Sequence, residues 1–224
     1  MNGLFITATG TEVGKTMVTA SLCYQLLQAG RPVAAIKPVI SDFNEEDASG
    51  SDTAIIAESL GLSADADTVN TISPFRYKAP LAPSMAAKAE GRTLDYAALI
   101  ETCEASLRTN PFTLIEGVGG SFVPLTGEKL VADWIKDLAL PSVVVAGSYL
   151  GTLSHITATV EAMQARGLAI KAVVMSETAG SDHPDFEATL EQARIWCNCP
   201  VIALRRIAGD TPWKHAPDLL NALV

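Results

Sequence analysis

The most constraining feature of the chain is a set of short apolar runs that do not alternate with polar residues. Leu4-Phe5-Ile6 is one such run. Others lie at 33–37, 112–115, 142–146, 170–175 and 201–204. A strand that is apolar on both sides has no solvent face, so it belongs to a sheet covered on both faces. Longer segments with helical spacing follow these runs. They predict helices over 15–29, closed by Gly30, over 53–60, stopped by Gly61, and over 96–107. Further helices are predicted over 152–166, ended by Gly167, and over 184–196. Strand followed by helix, repeated, implies an α/β fold with a mostly parallel sheet and helices on both faces. A length of 224 residues without repeat, linker or low-complexity tract favours a single domain over 1–224. The polar stretch 41–51 reads as a loop within it.

Composition excludes some functions. Acidic residues number 25 against 16 basic, a net charge of −9. Nucleic-acid binders need clustered Lys and Arg, so that class is set aside. The best apolar stretch, 138–147, is interrupted by Pro141 and Ser142 and is shorter than the roughly 18 residues of a membrane span. The start of the chain lacks the pattern of a signal peptide, which points to a cytoplasmic protein. Cys23 and Cys103 fall in helical segments. Cys197-Asn198-Cys199 has no second Cys or His cluster beside it, so reduced thiols are the simpler reading. His155, His183 and His215 are too scattered for a metal motif.

Thr7-Ala8-Thr9-Gly10-Thr11-Glu12-Val13-Gly14-Lys15-Thr16 carries the strongest chemistry. It leaves the first strand and opens the first helix, which is the context of a phosphate-binding loop. Backbone N–H groups and the helix N-terminus bind phosphate oxygens there. Lys15 would reach the outer phosphates, and Thr16 would ligate Mg²⁺. The spacing is a variant, with Thr9 where the strict pattern has glycine. Two carboxylates are candidate metal ligands. Glu116 ends a strand before Gly117-Val118-Gly119-Gly120, and a strand end faces the ligand crevice of such a sheet. Asp52 opens a helix, where a metal role and an ordinary N-cap are equally open. Lys37 ends the second strand and either faces the crevice or simply caps the strand.

Taken together, these motifs resemble dethiobiotin synthetases. The resemblance rests on Thr11-Glu12-Val13-Gly14-Lys15-Thr16, on Lys37-Pro38-Val39-Ile40-Ser41 followed by Ser51-Asp52, and on Ala79-Pro80-Leu81-Ala82-Pro83. It rests also on Glu116 to Gly120 with Phe122-Val123-Pro124-Leu125, and on Leu150-Gly151-Thr152-Leu153-Ser154-His155. It runs from about residue 3 to 190, and the last thirty or so residues match poorly. Family membership implies a P-loop ATPase fold and an ATP- and Mg²⁺-dependent cyclo-ligase of biotin biosynthesis. The substrates would be 7,8-diaminononanoate, CO₂ or bicarbonate, and ATP.

By the resemblance, Lys15, Lys37, Thr11 and Glu12 are catalytic. Glu12, Val13, Gly14, Lys15, Thr16, Met17, Glu116 and Gly119 surround the ATP phosphates, and Ser176 stands at the position of the family's base contact. Thr16, Asp52 and Glu116 surround the metal. Ser41 meets the diamine or carbamate. Gly151, Thr152, Leu153 and Ser154 hold the substrate carboxylate from the other subunit of a homodimer. Four positions depart from the family pattern: Ala8 replaces a glycine, Ser154 and Ser176 replace asparagines, and Phe186 replaces a tyrosine. Two alternatives stand beside this reading. The first is a switch ATPase of the partition or septum-positioning kind, whose loop usually has Lys at the position of Gly10. The second is a non-catalytic nucleotide-binding domain like those of cofactor-amidating synthetases.

Overall fold

The computed structural model describes residues 2–180 and 182–224. In chain order the elements are β1 (Gly3–Ala8), α1 (Lys15–Gln28), β2 (Ala34–Ile36), β3 (Val39–Ile40), α2 (Asp52–Ser59) and α3 (Ala66–Ile72). Then come β4 (Phe75–Arg76), α4 (Pro83–Ala89), α5 (Tyr96–Thr109), β5 (Thr113–Glu116), α6 (Val131–Leu138) and β6 (Ser142–Gly147). The chain ends with α7 (Thr152–Ala165), β7 (Ile170–Ser176), α8 (Phe186–Trp196), β8 (Val201–Leu204), a 3₁₀ turn (Pro212–His215) and α9 (Leu220–Leu223).

Six strands form one parallel sheet in the order β2-β5-β1-β6-β7-β8. All six residues of β1 and of β6 are buried, as non-alternating strands require. Period-two geometry sends neighbours to opposite faces. Leu4, Ile6, Val143 and Val145 pack with Val18 and Leu22 of α1. Phe5, Val144 and Ala146 pack with Trp134 of α6 and Ile156 of α7 on the other face. Phe5 and Trp134 meet edge to face with ring centroids 4.8 Å apart. Among the described residues no helix is long and apolar enough to cross a membrane.

The strand and helix periods are found where the sequence put them, with shifted ends. The second strand is shorter than 33–37, because the Lys37 N–H leaves the ladder and donates to the Ile72 carbonyl. From there the chain enters a separate two-stranded parallel pair, β3 with β4. The helix expected from residue 184 begins at Phe186, because the Asp185 side chain caps it by accepting from the Ala188 N–H. The helix expected over 96–107 runs on to Thr109. Helices α3, α4, α6 and α9, and the 3₁₀ turn, were not expected from the sequence.

Candidate active site

The site gathers at the carboxyl ends of β1 and β5, near the middle of the sheet. The loop after β1 turns into α1 at Gly14, whose φ of 100° suits glycine. A Cβ there would lie 2.8 Å from the Ser176 hydroxyl at the end of β7. A Cβ on Gly120 would lie 3.1 Å from the Thr9 carbonyl, so the glycine loop after β5 presses on the phosphate loop. Glu12 has φ 57°, unusual for a residue with a side chain.

Glu116, the last residue of β5, has no exposed surface. Three donors hold its carboxylate. Thr16 Oγ1 and Lys37 Nζ donate to Oε1 at 2.8 and 2.7 Å, and Thr19 Oγ1 donates to Oε2 at 2.6 Å. Lys37 also donates to Asp52 Oδ2 at 2.5 Å. Burial pulls the Lys37 ammonium toward its neutral form, but Glu116 and Asp52 outweigh that and hold its pKa above the usual lysine value. Burial also opposes charge on Asp52, and Lys37 beside it keeps that carboxyl below its ordinary value. Lys15 is different. Burial first and Lys37 second lower its pKa to about 8. Its Nζ donates to the Gly10 carbonyl at 3.3 Å.

Geometry answers the capping half of both open readings. Ser51, not Asp52, caps α2, with its hydroxyl accepting from the Ala54 N–H at 3.2 Å. Asp52 is thus left to pair with Lys37. Lys37 is buried and points at the carboxylates, so it does not cap its strand from the surface.

A cavity of about 770 Å³ opens over these groups. Thr11, Glu12, Gly14, Lys15, Thr16, Lys37, Ser41, Asp52 and Gly119 all line it. The prolines at 80 and 83 form part of its wall. The Ser41 hydroxyl is buried without a partner, which suits a group that a ligand completes. Val13 and Met17 pack toward the α1 face of the core, so their side chains do not reach into the cavity. The donor set of Thr16, Asp52 and Glu116 is all oxygen. Two carboxylates and a hydroxyl suit Mg²⁺, which shares its coordination with phosphate and water.

Gly151, Thr152, Leu153 and Ser154 stand apart from this cavity, at the start of α7. Thr152 is occupied within the chain. Its hydroxyl donates to the Gly147 carbonyl at 2.6 Å, and its N–H to the Tyr149 carbonyl at 3.1 Å. Leu153 and Ser154 line a second hollow with Trp196, and Leu150 beside them is 84% exposed. Phe186 is buried beneath the Arg205 guanidinium, 5.1 Å above its ring. Thr19 escaped the sequence reading. The available signal was its spacing, one turn past Thr16 on the same helix face.

Comparison with known proteins decides the family. Residues 2–213 match a family model described as an AAA domain. The ATP-dependent dethiobiotin synthetase BioD of Caulobacter vibrioides strain NA1000 is 41% identical over 224 residues, 99% of this chain and all of that one. The chain belongs to the dethiobiotin synthetase family. The BioD of Methylobacterium nodulans is 44% identical over 190 residues, 82% of this chain and 84% of its own. Membership makes the chain an ATP-dependent ligase. The Caulobacter alignment also carries the dethiobiotin synthetase likeness past residue 190, through the tail where no motif was legible.

Solved structures show the P-loop NTPase fold. Septum site-determining protein MinD of Pyrococcus horikoshii, complexed with Mg-ADP, superposes with TM-score 0.53 at 17% identity, covering 89% of this chain and 79% of that one. A ParA family ATPase of Chlorobium tepidum gives 0.53 at 15%, covering 92% and 84%. At such identities the likeness to switch ATPases stops at the fold. Function follows the dethiobiotin synthetase relatives.

Proposed function

We propose that this single-domain chain closes the cyclic urea of dethiobiotin from 7,8-diaminononanoate, CO₂ and ATP, with release of ADP and phosphate, in the cytoplasm. The observation that carries the reading is the convergence of Lys15, Lys37 and the unpartnered Ser41 hydroxyl in one cavity, beside Thr16 and Asp52. Three anions must meet for this reaction: a triphosphate, a carbamate and the metal carboxylates. Cations aimed at that meeting point lower the barrier.

In the proposed sequence, one amine of the diamine captures CO₂ as a carbamate. A carbamate oxygen attacks the γ-phosphorus, the bond to ADP breaks, and a carbamic–phosphoric anhydride forms. The second amine attacks the carbonyl carbon and expels phosphate, which closes the ring. Lys15 holds the outer phosphates from the loop side, and Lys37 faces the carbamate. Thr11 and Glu12 lie near the amines, and Ser41 donates to the carbamate or diamine. The backbone of 12–17 and Gly119 cradles the phosphates, and Ser176 is assigned to the base. Mg²⁺, held by Thr16, Asp52 and Glu116, would screen the phosphate charge.

The substrate carboxylate is assigned to residues 151–154 of the other subunit of a homodimer. None of them lines the cavity of their own chain, and with the exposed Leu150 this supports that division. Since Thr152 spends its N–H internally, Gly151, Leu153 and Ser154 are left as donors at that helix start.

Phosphate release tests the reading. It should require both diaminononanoate and bicarbonate, and it should fall by orders of magnitude in Lys15→Ala. ATP hydrolysis independent of the diamine would refute the activity. Mixing Lys15→Ala with Ser154→Trp chains should restore part of the rate. Confirmed heterodimers with no recovery would refute the shared site.

A further inference from the structure

The oxygens assigned to Mg²⁺ converge on a place where this chain already puts a cation of its own. Lys37 Nζ lies 2.5 Å from Asp52 Oδ2 and 2.7 Å from Glu116 Oε1. Thr16 Oγ1 reaches that same Oε1 at 2.8 Å. We propose that the Lys37 ammonium is the resident counter-ion of the metal carboxylates, that it gives up this place when Mg²⁺ enters, and that the exchange frees it to face the reacting anions. The inference rests on the reading of Thr16, Asp52 and Glu116 as the metal set.

Electrostatics requires such a placeholder. Glu116 is fully buried and Asp52 lies across the same ammonium from it. Two carboxylates held together without a cation repel, and one of them would take up a proton. One ammonium balances one of the two charges, whereas Mg²⁺ balances both. Ammonium and metal compete for the same oxygens, so the divalent ion displaces the monovalent one. Lysine suits the exchange chemically. Its charge is a point on a flexible stem, while arginine would clamp a carboxylate with a rigid fork. Lys37 also lines the cavity shared by Lys15 and Ser41, so the released ammonium has the substrate side to turn to. The cation that meets the carbamate would thus become available only when the metal is in place.

Lys37→Met tests the exchange without turnover. Titration calorimetry with MgCl₂ alone, and no nucleotide, should show Mg²⁺ bound about tenfold or more tighter than in the unmodified chain, because the competing charge is gone. Equal or weaker binding overturns the proposal. If the variant unfolds for want of a counter-ion, MgCl₂ should restore a cooperative melt where NaCl of equal ionic strength does not. If neither salt restores it, the unmodified chain decides. Lys37 should then react several-fold faster with an amine-acylating reagent once MgCl₂ is added, read peptide by peptide by mass spectrometry, and an unchanged rate overturns the proposal. Asp52→Asn and Glu116→Gln, titrated with Mg²⁺ in the presence of ADP, separate the two layers. If neither weakens metal binding, the metal assignment itself fails. If both do and Lys37→Met gains nothing, only the exchange fails.

Discussion

Thr19→Val isolates one contact in the cage around Glu116. Thr19 is fully buried on α1, and its hydroxyl lies 2.6 Å from Glu116 Oε2. The same oxygen is 3.1 Å from the Lys15 carbonyl. A hydroxyl has one proton, and the charged acceptor at the shorter distance takes it. Valine matches threonine in shape, so the substitution opens no cavity. Thr16 and Lys37 still hold Oε1. What remains is one buried carboxylate oxygen without a donor. A hydrogen bond to a charged group contributes about 1.5–3 kcal/mol, and leaving its acceptor unsatisfied puts the loss near the upper half of that range. For a chain of this length, about 2–3 kcal/mol lowers the melting temperature by roughly 5–10 °C. Denaturant titration in metal-free buffer reads the change as a shifted midpoint with an unaltered slope. Thr19→Ser keeps the hydroxyl and should recover most of the loss. A valine variant within about 0.5 kcal/mol of the unmodified chain, or a serine variant as weak as valine, would refute the assignment of this contact.

Nucleotide affinity should fall as pH rises through about 8, the value to which burial and Lys37 bring Lys15. Burial favours the neutral amine and phosphate favours the ammonium, so binding takes up a proton and weakens by up to about tenfold per pH unit above that point. Flat ADP affinity between pH 7 and 9.5 would contradict this. Gly14→Ala places a methyl group at φ 100° and 2.8 Å from Ser176 Oγ. It should weaken nucleotide binding at least about tenfold while the melt stays cooperative; equal affinity by calorimetry would show that the loop tolerates the strain. Gln25→Ala removes the amide that binds the backbone of residues 216–220, so carboxypeptidase should trim the tail faster. Unchanged trimming would mean that the buried side chains and the Lys171 bond to the Leu223 carbonyl hold it without Gln25.

The sheet was legible because its strands are apolar on both sides, and the phosphate loop because glycine, lysine and threonine sit between a strand and a helix. Glu116 was legible for a related reason, since a carboxylate at the end of a buried strand needs a cation. Asp52 and Lys37 were ambiguous, because a helix-start aspartate caps as readily as it ligates. Only the partner across space decides, and here Ser51 does the capping. Thr19 left no mark, because a threonine inside a helix is unremarkable until the carboxylate 97 positions away is brought to it. Strands β3 and β4 have two residues each, too few to show a period. Helix α6 spans only eight residues, and its buried Val131, Trp134 and Ile135 sit among Asp133, Lys136 and Asp137.

The side-chain amide of Gln25 reads the tail without reading its letters. Its nitrogen donates to the carbonyls of Ala216 and Pro217, and its oxygen accepts from the N–H groups of Leu219 and Leu220. Peptide groups are the same whatever residues carry them. Apart from apolar bulk at Trp213, Leu219 and Leu223, the tail can drift in spelling while its path stays fixed. A segment held in this way offers no motif, and the Caulobacter alignment nonetheless runs through it. The helix that begins at the phosphate loop thus also anchors the end of the chain, through a contact that tolerates almost any text.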